Sequence, residues 1–297
     1  MIRPVRPDRL GIALVLASSA AFGGNAIFAK LSYNAGATVG EFLSIRFTIA
    51  AIVFWLVLRP KVTRREVVPG LLLGLAYCGQ ATFYFWAVSI QDASVTSVFQ
   101  AVTPPIVAVT AVLLGRERAR ARVFLAIGIA GIGMVLVGLT GGDSSGHVVP
   151  LGALLSIASS AWYAGYLLAG ERIVKNVQPL VLGCLIATGG AIGFTAGSLA
   201  IGQFHFEFGT RAWLWLALSA LVSTVFAVTA VMAGMDRLGP SLAGLLTTFE
   251  TPSTIVYATL VFGESLSAGQ WLGAALVLAA VVAVQLPSRR DATVSAR

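Results

Sequence analysis

One acidic residue stands deep in an apolar stretch: Glu250, with Thr247, Thr254 and Tyr257 on the same stripe around Pro252. If that stretch crosses a membrane, its carboxylate is expected to turn inward, where it can carry a proton or pair with a substrate amine. Its place near the start of the stretch also suits a carboxylate in a wet vestibule. Arg46 is the matching cation, six or seven residues inside another apolar run. It reads either as an anchor, paired with Glu41 or backbone carbonyls, or as a residue facing a pathway. Amides, hydroxyls and rings recur nearby at helical spacing. Ser18, Phe22 and Asn25 share one face, Tyr77, Gln80 and Tyr84 a second, and Thr96, Gln100 and Thr103 a third. A fourth group is Ser159, Trp162, Tyr163 and Tyr166. Such groups suit the binding of a small polar solute. Bond-making would need a nucleophile with its base, or a metal cluster. The two histidines, His147 and His205, fall at loops or run ends, and no run holds two aspartates. No enzyme, cofactor or metal site is expected.

The elements that must position these groups follow from composition. Apolar residues make up 57% of the 297-residue chain and charged residues 11%, where a soluble domain carries about a quarter charged. The apolar residues fall into ten runs of near membrane-spanning length. These lie near 10–31, 39–58, 68–89, 94–114, 122–140, 148–169, 179–201, 212–235, 241–262 and 269–286. With ten spans, seventeen of the twenty Lys and Arg residues lie on one side, Lys30 and Arg211 lie on the other, and Arg46 lies within a span. That bias puts both termini in the cytoplasm. It also accounts for the net charge of +8 without a nucleic-acid partner. Lys30 ends the first span and is read as snorkelling to the outer interface. Cys78 and Cys184, both inside spans, are read as small buried hydrophobes.

Residues 92–117 and 238–264 echo one another. Each holds a proline midway, Pro105 (after Pro104) and Pro252, with a glutamate twelve residues further on, Glu117 and Glu264. The offset of 147 superposes two halves, as an old duplication would. The line ASSAAFGG at Ala17 is matched by ASSAWYAG in the sixth run. Five spans per half is an odd number, so the second copy must be inverted, and the basic loops change places accordingly. The expected organisation is a tail over 1–9, a first five-helix repeat over 10–140, an outward linker over 141–147, a second repeat over 148–286 and a tail over 287–297. The fold class is an all-α polytopic membrane protein. The prolines free backbone carbonyls and are read as kinks or gating points beside a central cavity.

These features together resemble the EamA-type exporters of the drug/metabolite transporter superfamily. The likeness rests on ten spans, on Arg46-Phe47, on the twinned Pro105…Glu117 and Pro252…Glu264, and on Gln270 to Ala275 entering the last span, and covers roughly residues 10–286. Two prolines in the first repeat, and Phe22-Gly23-Gly24-Asn25 in place of a Trp-Gly pair, depart from the pattern. The resemblance implies a secondary transporter exporting amino acids or similar small metabolites from the bacterial inner membrane by alternating access. One candidate branch is the aromatic amino-acid exporters. The expected partners are membrane lipid, a zwitterionic or aromatic solute and, if Glu250 titrates, a proton. The alternatives are a multidrug or organic-cation exporter of the same fold and, in another class, a passive channel or scaffold. Oligomeric state stays open.

Overall fold

The computed structural model describes residues 8–116, 121–142, 146–174 and 177–285. Glu117, Arg118, Arg120, Asp143 and Pro287 lie outside these residues.

Three helix starts are written in local capping chemistry. Asp8 accepts the Leu10 N–H at 3.0 Å and opens α1, Arg9–Asn34. Thr38 and Glu41 form a reciprocal capping box at the head of α2, Val39–Val53, which runs on into a π-helical turn over Phe54–Leu58. Thr63 and Glu66 do the same for α3, Arg64–Ile90. Next come α4, Ala93–Gln100, and α5, Thr103–Leu113, separated by a break at Ala101 and Val102. They are followed by α6, Ala121–Leu139, α7, Pro150–Val174, and α8, Pro179–Ala200. The eighth span is α9, Thr210–Ala220, a π-helical segment, Leu221–Phe226, and α10, Ala227–Leu238. The chain ends with α11, Pro240–Thr247, α12, Glu250–Phe262, and α13, Ala268–Gln285.

Among the described residues, nine helical stretches are long and apolar enough to cross a membrane. The remaining expected run, near 241–262, is divided at Thr248 and Phe249 into α11 and α12. The molecule is thus an all-α polytopic membrane protein. Many large apolar side chains face outward, among them Leu113, Leu125, Leu139 and Leu260, which in water would be a liability and in lipid is the expected solvent match.

The helix contacts are pseudo-symmetric. α2 packs on α8 and α6 on α13. α3 packs on α7 as α1 packs on α10, and α1 meets α12 as α7 meets α5. The two helix breaks agree residue for residue: Ala101 and Val102 lie 147 positions before Thr248 and Phe249. At both, the last turn tightens to a three-residue bond, Val102 N–H to Phe99 O at 3.4 Å and Phe249 N–H to Leu246 O at 3.1 Å.

Candidate functional site

The prolines dictate the break between α4 and α5. Pro104 and Pro105 carry no N–H, so the carbonyls four residues earlier, on Gln100 and Ala101, lose their helical donors. The Thr103 hydroxyl donates to the Gln100 carbonyl at 2.8 Å and repairs one of the two. In the second half, Pro252 likewise strips the Thr248 carbonyl of its donor, while the Thr247 and Thr248 hydroxyls turn back to Gly244 and Leu245, each at 2.7 Å. Each break puts a polar residue at the first position of the new helix: Thr103 in α5 and Glu250 in α12.

Both breaks face one cavity of about 1060 Å³. Gln100, Thr103 and Pro104 line it from the first half, and Thr247, Thr248 and Glu250 from the second. α1 adds Phe22 and Asn25, and α3 adds Tyr77, Gln80 and Tyr84. Arg46 of α2 and Tyr163 of α7 complete the middle. Gly23 lets α12 approach this closely: a Cβ there would lie 2.8 Å from Ser253 Cβ and 2.9 Å from the Glu250 carbonyl oxygen.

Of the residues named for the cavity, two aromatic ones lie elsewhere. Trp162 is turned outward, with its indole N–H donating to the Ala76 carbonyl at 2.7 Å. Its ring occupies the space that a side chain at Gly79 would need, since a Cβ there would sit 2.4 Å from the indole. Tyr166 stands behind the lining, stacked on Tyr163 at 5.6 Å and edge-on to Tyr77 at 5.8 Å. Pro252 acts on the backbone and is not part of the wall. Neither displacement of a ring could be read from spacing, because residues one apart on a helix point about 100° apart and the packing partner decides which faces inward.

Arg46 is 3% exposed. Its Nε donates to Thr224 Oγ1 at 2.8 Å, and its guanidinium carbon lies 5.2, 5.3 and 5.9 Å from the rings of Phe47, Phe85 and Phe42. Its Nη1 has no hydrogen-bond partner among the described residues. Thr224 owes its place to the π-helical segment: its hydroxyl donates to the Ser219 carbonyl, five residues back, at 3.1 Å. Glu41, the alternative partner for Arg46, is occupied elsewhere. It accepts the N–H groups of Thr38, His205 and Phe206 at 2.9, 2.9 and 2.6 Å and so ties down a loop at one end of the bundle.

The cavity reaches the end of the bundle that holds Arg122, exposed Leu167, Val231 and Gln285. The opposite end is bolted by a polar cluster. Lys30 Nζ meets Glu264 Oε1 at 2.8 Å, and Asp92 Oδ1 lies 3.8 Å from the same nitrogen. Glu264 also accepts the Ala93 N–H at 3.1 Å, the Ser94 N–H at 2.9 Å and the Ser94 hydroxyl at 2.7 Å. It therefore caps α4 from the far half of the chain. Burial opposes the Glu264 charge, but Lys30 and Ser94 outweigh it and hold the carboxyl below the usual carboxylate range. Asp92 moves the other way, raised first by burial and then by the Glu264 charge. Lys30, read as snorkelling, is instead drawn inward by these two acids. At the cavity end Arg116 Nη1 lies 3.5 Å from Glu171 Oε2, with both side chains substantially exposed.

The EamA-like transporter family matches the sequence twice, over residues 9–139 and again over 150–286. The chain belongs to that family. Among relatives of this EamA-like chain is the threonine/homoserine exporter RhtA of Escherichia coli, 24% identical over 297 aligned residues, covering 97% of this chain and 95% of that one. RhtA of Salmonella typhimurium is 26% identical over 251 residues, covering 82% and 80%. The uncharacterized transporter YetK of Bacillus subtilis is 21% identical over 290 residues, covering 92% and 86%. A solved crystal structure superposes with a TM-score of 0.63 at 17% identity, covering 95% of this chain and 98% of that one. That likeness speaks for the fold alone. These relatives do not support placing the chain in the aromatic amino-acid branch. Aromatic lining is a poor guide to substrate, because rings fill many unrelated cavities. The family places the protein among membrane transporters.

Proposed function

We propose that this protein exports small amino acids across the bacterial inner membrane by alternating access. Ten spans in two inverted repeats, over 10–140 and 148–286 with the linker 141–147 between them, would place both termini in the cytoplasm. The observation that carries this reading is the cavity itself. Its polar wall is drawn from both halves at equivalent positions, Gln100 with Thr247 and Thr103 with Glu250, and among the described residues it reaches the end that holds Arg122 and Gln285. That end is the basic one, hence the cytoplasmic one, so the conformation is the loading state of an exporter. Release would then require the Lys30–Glu264 bolt to part while the cavity closes at the opposite end. Pro104, Pro105 and Pro252 mark where the half-helices swing. The names of RhtA relatives favour threonine-like substrates over aromatic ones.

The test is counterflow of labelled threonine, homoserine, phenylalanine and tyrosine in proteoliposomes, with and without a pH step. Saturable exchange of threonine or homoserine supports the proposal, and acceleration by the pH step adds a coupled proton. Exchange of the aromatic pair alone would restore the aromatic branch. Saturable transport of organic cations with none of the four amino acids would establish the multidrug alternative instead.

A further inference from the structure

Two ionisable groups of opposite sign, Arg46 and Glu250, line the same cavity. Arg46 is nearly fully buried and uses Nε on Thr224, and its Nη1, itself buried, has no hydrogen-bond partner among the described residues. Glu250 takes no side-chain hydrogen bond among the described residues, and no ion pair joins it to Arg46. A buried charge left unpaired is costly, and evolution normally removes it or supplies a counter-charge. The two elements that carry these groups are each fixed by their own packing. α2 is fixed against α8, and α12 is pinned to α1 by the Thr254 hydroxyl on the Gly23 carbonyl at 3.1 Å.

Resting on the amino-acid export reading above, we propose that Arg46 and Glu250 are the two poles of a clamp for an α-amino acid zwitterion. Arg46 takes the carboxylate through its Nη edge, and Glu250 takes the ammonium. A guanidinium presents parallel N–H donors that match a carboxylate, and a carboxylate accepts from all three ammonium protons in turn. The substrate carries both charges on adjacent carbons and supplies to each pole the counter-ion that the protein withholds. Thr224 is the positioning residue. By taking Nε it limits rotation of the guanidinium, around which the rings of Phe42, Phe47 and Phe85 pack.

The discriminating probes are L-threonine, threonine amide and N-acetylthreonine, since the amide lacks the carboxylate and the acetyl derivative lacks the ammonium. Thermal stabilisation of the full chain in detergent reads binding without requiring transport. Threonine is expected to stabilise the wild type at concentrations at least tenfold below those needed for either analogue. In Glu250→Gln the advantage over N-acetylthreonine should vanish while the advantage over the amide remains. Arg46→Lys should weaken threonine binding about tenfold by removing the fork. Thr224→Val should raise the threonine KM at least fivefold with little change in maximal rate, and Thr224→Ser should restore it. Equal stabilisation by all three probes, stabilisation by none, or a Glu250→Gln protein that still rejects N-acetylthreonine would overturn the clamp. Stabilisation by threonine with no flux in proteoliposomes would keep the clamp and sink the transport reading instead.

Discussion

At the scale of single residues, Glu264 does the most long-range work. Its carboxylate joins Lys30 of α1 to the first turn of α4, so one side chain ties three segments that are far apart in sequence. Because its folded pKa lies below the ordinary value, its contribution is complete above the unfolded carboxylate range and is lost as pH falls through that range toward the folded pKa. The difference in Tm between wild type and Glu264→Gln should therefore be flat from pH 6 to 8 and shrink below about pH 5. A gap that stays constant down to pH 3.5 would show the pair to be unimportant. Removing the cation instead, by Lys30→Ala, leaves a buried carboxylate with part of its support gone, at a cost of about 3 kcal/mol. The swap K30E/E264K should not rescue stability, although it restores opposite charges. A lysine cannot accept the Ala93 and Ser94 N–H groups and would put a cation at a helix N-terminus. Recovery of the wild-type Tm in the swap would argue for a plain ion pair.

At the scale of elements, the broken helices and the π-helical segment shape the site. Both α4–α5 and α11–α12 lose carbonyl donors to prolines, and among these carbonyls only that of Gln100 regains a donor from a threonine hydroxyl among the described residues, so they are weak points placed at the cavity wall. Pro252→Ala would return a donor to the Thr248 carbonyl and favour one continuous helix. A restored hydrogen bond is worth about 1 kcal/mol. If that helix must bend during each cycle, the maximal rate should fall about fivefold while Tm rises. An unchanged rate with a raised Tm would make the break a static feature of the wall. The sequence shows the prolines plainly, since a missing N–H is a property of the residue type. The π-helical segment over Leu221–Phe226 has no such marker. Its residues, LVSTVF, are ordinary for a buried helix, and the wide turn exists because Ser223 and Thr224 find partners on α1 and α2.

At the scale of the whole molecule, orientation is the property to check. Charge bias predicts that the loop around Phe206 lies outside and the turn around Lys61 inside. An impermeant maleimide applied to intact cells should modify Phe206→Cys and leave Lys61→Cys unmodified until the cells are opened. The reverse pattern would turn the cavity outward and make the conformation a release state. Native Cys184 is buried and Cys78 half-buried, so background labelling should be low.

The sequence by itself determined what depends on residue type and periodicity. The spans, the proline breaks, the echo at an offset of 147 and most of the lining fall in this class, because hydrophobic length and missing donors act locally. It could mark Arg46 and Glu250 as unusual, since a charge in an apolar run stands out wherever it sits. Only the tertiary structure decided which partners those charges have. Lys30 meets Glu264 across 234 positions, Arg46 meets Thr224 across 178, and Trp162 leaves the wall because Gly79 makes room for it on the other side. Such pairings are set by how helices from the two halves of the chain pack against each other, and no local pattern encodes that packing.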